Sequence, residues 1–78
     1  MAKTDAQYNV LAVERILQDN PDGVTLKEII EKLAYEYGVK ADRRAIWRNI
    51  DTLGWFFEIE KKKNSNHEYV YRIKGWVK

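Results

Sequence analysis

The chain has 78 residues, a formal net charge of +2 and no cysteine, and 45% of it is hydrophobic. A domain of this size buries roughly 60% of the surface its unfolded chain exposes, so its core must be small and dense, a demand that three Trp, five Tyr and two Phe suit well. Without cysteine there is neither a disulfide nor a thiolate metal site to staple the fold. No stretch approaches the roughly 20 apolar residues of a membrane helix or the apolar run of a signal peptide, so the expectation is one soluble, cytoplasmic domain over residues 1–78.

The modest net charge hides an uneven distribution. Residues 1–36 carry four basic against seven acidic side chains, a net of −3, and residues 37–78 carry ten against five, a net of +5. Opposite signs on the two halves favour a polyanion-binding face built from the C-terminal half.

Thr4-Asp5-Ala6-Gln7 matches a capping box and predicts a first helix over about 4–18, with Tyr8, Leu11, Ala12, Val13, Ile16 and Leu17 on its apolar side. Asn20-Pro21-Asp22-Gly23 is a turn, and Val24 after it has room for a strand of one or two residues. Thr25-Leu26-Lys27-Glu28 is a second capping box, and Leu26, Ile29, Ile30, Leu33, Ala34 and Tyr37 recur at helical spacing, which predicts a helix over 26–37 closed by Gly38. Asp42 is a good N-cap for a third helix over 43–53, ended by Gly54. Two helices joined by so short a turn form a helix-turn-helix.

Beyond Gly54 the period falls to two. Phe57 and Ile59 alternate with Glu58 and Glu60, and Tyr69, Tyr71 and Ile73 alternate with Val70 and Arg72. The polar run from Lys61 to His67 turns the chain between them, giving a hairpin over about 55–74 with a basic, flexible tip. The expected fold is therefore α+β, a winged helix-turn-helix of three helices followed by a two-stranded β-hairpin wing.

Stepping 100° per residue along the third helix puts Ile46, Ile50 and Leu53 in one 60° sector, with Arg44, Arg48 and Asp51 nearly opposite and Trp47 at the edge between. An outward, Arg-bearing helix after the turn is where this motif places its recognition helix, because the Arg fork reads guanine or clamps phosphate. Trp47 is a lid on the core or a contact to sugar or a thymine methyl. Lys61, Lys62 and Lys63 are a solubilising turn or phosphate contacts made by a wing.

Ile46-Trp47-Arg48-Asn49-Ile50-Asp51-Thr52-Leu53 is similar to the "IYRDIEAL" recognition helix in the N-terminal winged-helix domains of WYL-domain and DeoR-type bacterial regulators. Leu26 to Leu33 resembles their second helix, and Tyr71-Arg72-Ile73 their closing wing strand. The resemblance covers most of Val10 to Ile73 and implies that Arg43, Arg44, Trp47 and Arg48 face DNA. Asn49 stands where the family usually has Asp, and the sensing domain that follows in the family is not represented, so no effector is carried over.

These features lead to the expectation of a sequence-specific, double-stranded DNA-binding protein, a small transcription regulator of bacterial, archaeal or phage origin, contacting DNA through Arg43, Arg44, Trp47, Arg48, Lys61, Lys62 and Lys63. The alternative is a winged-helix module that binds protein and not DNA. Binding of RNA or single strands would need exposed rings, which the alternation does not favour. A single His67, a single Ser65 and no Cys offer no nucleophile with a base, no metal cluster and no cofactor site, so no enzyme is expected. Glu58 and Glu60 are expected to pair with Arg72 and Lys74 across the hairpin. A homodimer or a partner protein is expected on DNA, with self-association through the acidic side of the first helix or, preferably, the aromatic tail at Trp76 and Val77.

Overall fold

The elements run α1 Ala2–Asp19, β1 Val24–Thr25, α2 Leu26–Tyr37, α3 Arg43–Leu53, β2 Phe57–Lys63 and β3 Tyr69–Trp76 in a computed structural model that describes the backbone of residues 2–76 and the side chains of residues 8–76. The architecture is α+β, three helices with a three-stranded antiparallel sheet in the order β1-β3-β2. The sheet thus has one strand more than the two-stranded hairpin expected. Val24 pairs with Tyr71 and Thr25 with Val70, so the short segment after the first turn joins the hairpin as an edge strand. Val70 and Tyr71 then make β3 the central strand. Among the described residues no helix is long and apolar enough to cross a membrane.

Local chemistry accounts for the helix ends. Thr25 accepts from the Glu28 amide at 3.1 Å while the Glu28 carboxylate accepts from the Thr25 amide at 2.9 Å, a complete capping box. At the other end of α2, Gly38 takes the left-handed conformation (φ 65°), and the Val39 amide reaches the Leu33 carbonyl at 2.9 Å. Asp42 caps α3 by accepting from the Ala45 amide at 2.9 Å. The first expected box does not form a cap. α1 runs back through Thr4 to Ala2, which places Thr4 inside the helix, because Ala and Lys are good enough helix formers to extend it.

Every element contributes to one core. Ala12, Val13, Ile16 and Leu17 of α1 pack with Val24, with Ile29 and Leu33 of α2, with Ile46, Ile50 and Leu53 of α3, and with Phe57 and Tyr71 of the sheet. Leu11 does not join them and is 62% exposed. It sits about 100° of helix rotation before Ala12, on the far side of the sector that Ile16 and Val13 define. Tyr8, also outside the core, instead clasps α2, its hydroxyl donating to the Tyr37 carbonyl at 3.3 Å and its ring meeting the Tyr37 ring edge-on at 6.4 Å.

The hairpin is displaced two residues toward the C-terminus from its expected span. Gly54, Trp55 and Phe56 continue the turn of α3, their amides donating to the carbonyls of Ile50, Thr52 and Leu53. At the far end the ladder contains a bulge: Glu58 pairs with Gly75 and Ile59 with Ile73, which leaves Lys74 without a counterpart. The extra residue lets β3 reach Trp76, which pairs with Phe57 and stacks on its ring at 4.5 Å. Trp76 was expected beyond the strand and is its last residue; Val77, its expected companion, lies outside the described residues.

Burial sets Ile46 and Leu33, both fully buried, apart from the exposed Leu11. Ile46→Ala or Leu33→Ala should each lower the unfolding free energy by about 2–5 kcal/mol, whereas Leu11→Ala should change it by no more than about 0.5 kcal/mol. Urea titrations followed by circular dichroism would check both values, and a large loss at Leu11 would contradict the exposed placement.

Candidate functional site

Asp42 sets the first turn of α3, and the core residues Ile46, Ile50 and Leu53 hold its inner face. The outward face then carries Arg44, Arg48 and Asp51, exposed as the helical wheel places them; Arg43 adjoins Ile50 on that wheel and is exposed as well, at the first turn of the helix. Asn49, 40° from Leu53 on that wheel, is buried, and its Nδ2 has no hydrogen-bond partner among the described residues. Such an orphan costs about 1–3 kcal/mol. Its burial was legible from the wheel angle and was missed because the amide is polar.

Trp47 is half exposed and stands between two depressions. On one side lies a crevice of about 260 Å³ where Arg43 meets Lys27 at the start of α2 and His67 and Tyr69 of the hairpin. On the other lies an open groove of about 960 Å³ between α3 and β2, floored by Ile50, Phe57 and Tyr71 and rimmed by Trp55, Asp51, Glu58 and Lys61. Trp55 is 81% and Trp76 71% exposed. Exposed rings were not expected from the alternation; the turn that prolongs α3 swings Trp55 and Phe56 outward before Phe57 enters the sheet.

The three lysines do not form the tip. They are the last residues of β2, and the strand's alternation divides them. Lys61 pairs with Tyr71 and Lys63 with Tyr69, which puts both on one face, and their ammonium groups lie 4.4 and 5.4 Å from the centre of the Tyr69 ring. Lys62 pairs with Val70 on the opposite face. Tyr69 is therefore part of the basic surface, a role visible in the sequence only once the strand register is known.

The tip itself is Asn64 to Glu68, and it is tied rather than loose. Asn64 Oδ1 accepts from the amides of Asn66 (2.8 Å) and Glu68 (3.0 Å), and the Asn64 amide donates to the Glu68 carbonyl at 2.8 Å. His67 takes a positive φ of 64° to close the turn. Asn64 thus replaces flexibility with an Asx-type clamp.

On the face that carries Lys62, Glu60 accepts a charge-assisted hydrogen bond from Arg72, and the Arg72 Nη1 reaches the Pro21 carbonyl at 3.5 Å. Only half of the expected carboxylate pairing forms, because the bulge sets Glu58 opposite Gly75 and not Lys74. Three salt bridges occur among the described residues: Arg15 with Asp19, Lys32 with Glu36 and Arg72 with Glu60. None involves Arg43, Arg44, Arg48, Lys61, Lys62 or Lys63.

The hydrogen bond from Arg72, opposed by partial desolvation and helped by the charges of Arg72, Lys62 and Lys74, holds the Glu60 carboxyl below its ordinary value. A depressed native value stabilises the fold above the unfolded-state value, and that contribution fades as pH falls through the native one. Wild type should therefore melt above Glu60→Gln near neutral pH, with the gap closing below about pH 4; a gap that widens in acid would contradict the pairing. Comparisons with family models, with curated proteins and with solved structures returned no match, so the site rests on its own geometry.

Proposed function

We propose that this chain is a sequence-specific, double-stranded DNA-binding domain of the winged helix-turn-helix kind, acting as a small transcription regulator. α3 is the recognition helix in this proposal, and the β2–β3 hairpin is the wing. The observation that carries it is that Arg43, Arg44, Arg48, Lys61 and Lys63 lack salt-bridge partners among the described residues, as does Lys62 on the other sheet face, while the salt bridges that do form hold Arg15, Lys32 and Arg72. Charge left uncompensated on one half of a domain is free to neutralise phosphate.

Helix electrostatics add to this. Arg43 and Arg44 occupy the first turn of α3, where the helix dipole is positive and a cation costs about 0.3–1 kcal/mol. A local choice that works against stability is accounted for when an anion docks there. Tyr69, held between Lys61 and Lys63, offers a ring and a hydroxyl to a sugar-phosphate backbone.

One observation favours the alternative, a protein-binding module. The groove beside Trp47 and Trp55 is apolar and carries Asp51 and Glu58 on its rim, a combination that repels phosphate and accepts an apolar or basic surface. The two functions centre on different regions, the groove at the root of the hairpin and the cations of α3 and the outer hairpin, which meet at Trp47 and Lys61.

A gel shift of the pure chain on random duplex DNA across a salt series separates them. Affinity should fall with a log–log slope of about −0.9 per phosphate neutralised, and no binding in low salt would leave the protein-binding module. On a selected duplex of about one helical turn, Arg44→Ala or Arg48→Ala should erase sequence preference at roughly 1–3 kcal/mol for a bidentate base contact. Lys61→Ala with Lys63→Ala should weaken binding to all sequences and flatten the salt slope by about two. Lys62→Ala, on the other sheet face, should do neither.

A further inference from the structure

We infer that the outer edge of β2 pairs antiparallel with β2 of a second copy of this chain, in a register centred on Glu60. The strand order β1-β3-β2 makes β2 an edge strand of seven residues, and among the described residues no strand pairs with its outer side. An uncovered edge is a row of free N–H and C=O groups, a template for another strand.

Charge selects the orientation. β2 reads Phe57-Glu58-Ile59-Glu60-Lys61-Lys62-Lys63, acidic in its first half and basic in its second. A parallel copy in register sets lysine on lysine, the defence that lysines normally give an edge. An antiparallel copy sets the basic half of each strand on the acidic half of the other.

Geometry then narrows the register. A two-fold axis perpendicular to a continuous sheet pairs only residues that share a sheet face. With Glu60 on the axis, Glu58 faces Lys62 of the second copy, Ile59 faces Lys61 and Phe57 faces Lys63. With Ile59 on the axis, Glu58 meets Glu60; with Lys61 on it, two lysines without carboxylate partners meet. The meeting of two Glu60 side chains is tolerable because each is already neutralised by its own Arg72.

The groove gains an occupant in the same register. Lys63 of the second copy arrives opposite Phe57, on the sheet face away from Glu58 and beside the rim where Asp51 stands with Trp55, so a cation meets a carboxylate and an aromatic wall. This pairing engages Lys61 and Lys63, which the DNA-binding proposal also uses, and sedimentation without DNA tests it separately.

Sedimentation velocity over a concentration series, with melts to confirm folding of each variant, decides the matter. Glu58 and Lys62 are exposed, so their reversal spares the core. Wild type should show a monomer–dimer equilibrium. Glu58→Lys and Lys62→Glu should each weaken it roughly tenfold or more, since two attractive cross-strand pairs become repulsive. The double variant Glu58→Lys/Lys62→Glu should restore it, and an equimolar mixture of the two single variants should form a heterodimer. A wild type that stays monomeric throughout, a Glu58→Lys variant that dimerises like wild type, or failure of both the double variant and the mixture to recover would each overturn the inference.

Discussion

The pairing of Tyr71 on both sides holds the molecule together. It meets Val24 of β1 on one side and Lys61 of β2 on the other, and its ring is buried in the core shared by the helices. β1 leads directly into the Thr25 cap of α2, so two ladder positions couple the hairpin to the helical layer. Gly23, at φ 106°, enforces the close approach: a Cβ there would stand 2.4 Å from Val70 Cγ1. Arg72, bonded to Glu60 and reaching the Pro21 carbonyl, braces the same junction from the opposite face. The angle at which the hairpin stands beside α3 follows from these contacts, and with it the groove and the crevice on either side of Trp47.

The surface is divided by charge as a result. Cations near acidic helix neighbours are paired, as Arg15 with Asp19 and Lys32 with Glu36 one turn away. The cations of α3 and the outer hairpin form no such pair among the described residues, although Asp51 stands one turn from Arg48, and Tyr69 keeps two of them on a common face. At the root of the hairpin the balance reverses, with Asp51, Glu58 and exposed rings. A basic region and an acidic, apolar one therefore lie toward opposite ends of the same strand.

Much of the fold was legible because it rests on local rules. The bounds of α2 and α3 follow from Thr25, Gly38 and Asp42, whose side-chain and backbone preferences act within four residues, and the inner face of α3 follows from helical spacing alone. Departures arose where a distant contact competes with the local pattern. Leu11 fits an apolar stripe but has no facing element, and Trp55 and Phe56 read as strand residues although the last turn of α3 claims their amides. The basic residues were identifiable by type; their division between two sheet faces was not.

The sequence by itself determined the three helices, the two hairpin strands, most of the core and the excess of positive charge in the second half, since periodicity, capping and charge are properties of neighbouring residues. Only the tertiary structure decided that Val24 completes the sheet, that Lys74 bulges out, that Lys62 turns away from Lys61 and Lys63, and that among the described residues no strand covers the outer edge of β2. Each of these depends on which residue lies opposite which across a ladder. Register is set by packing between segments far apart in the chain, and a slip of one residue inverts every face.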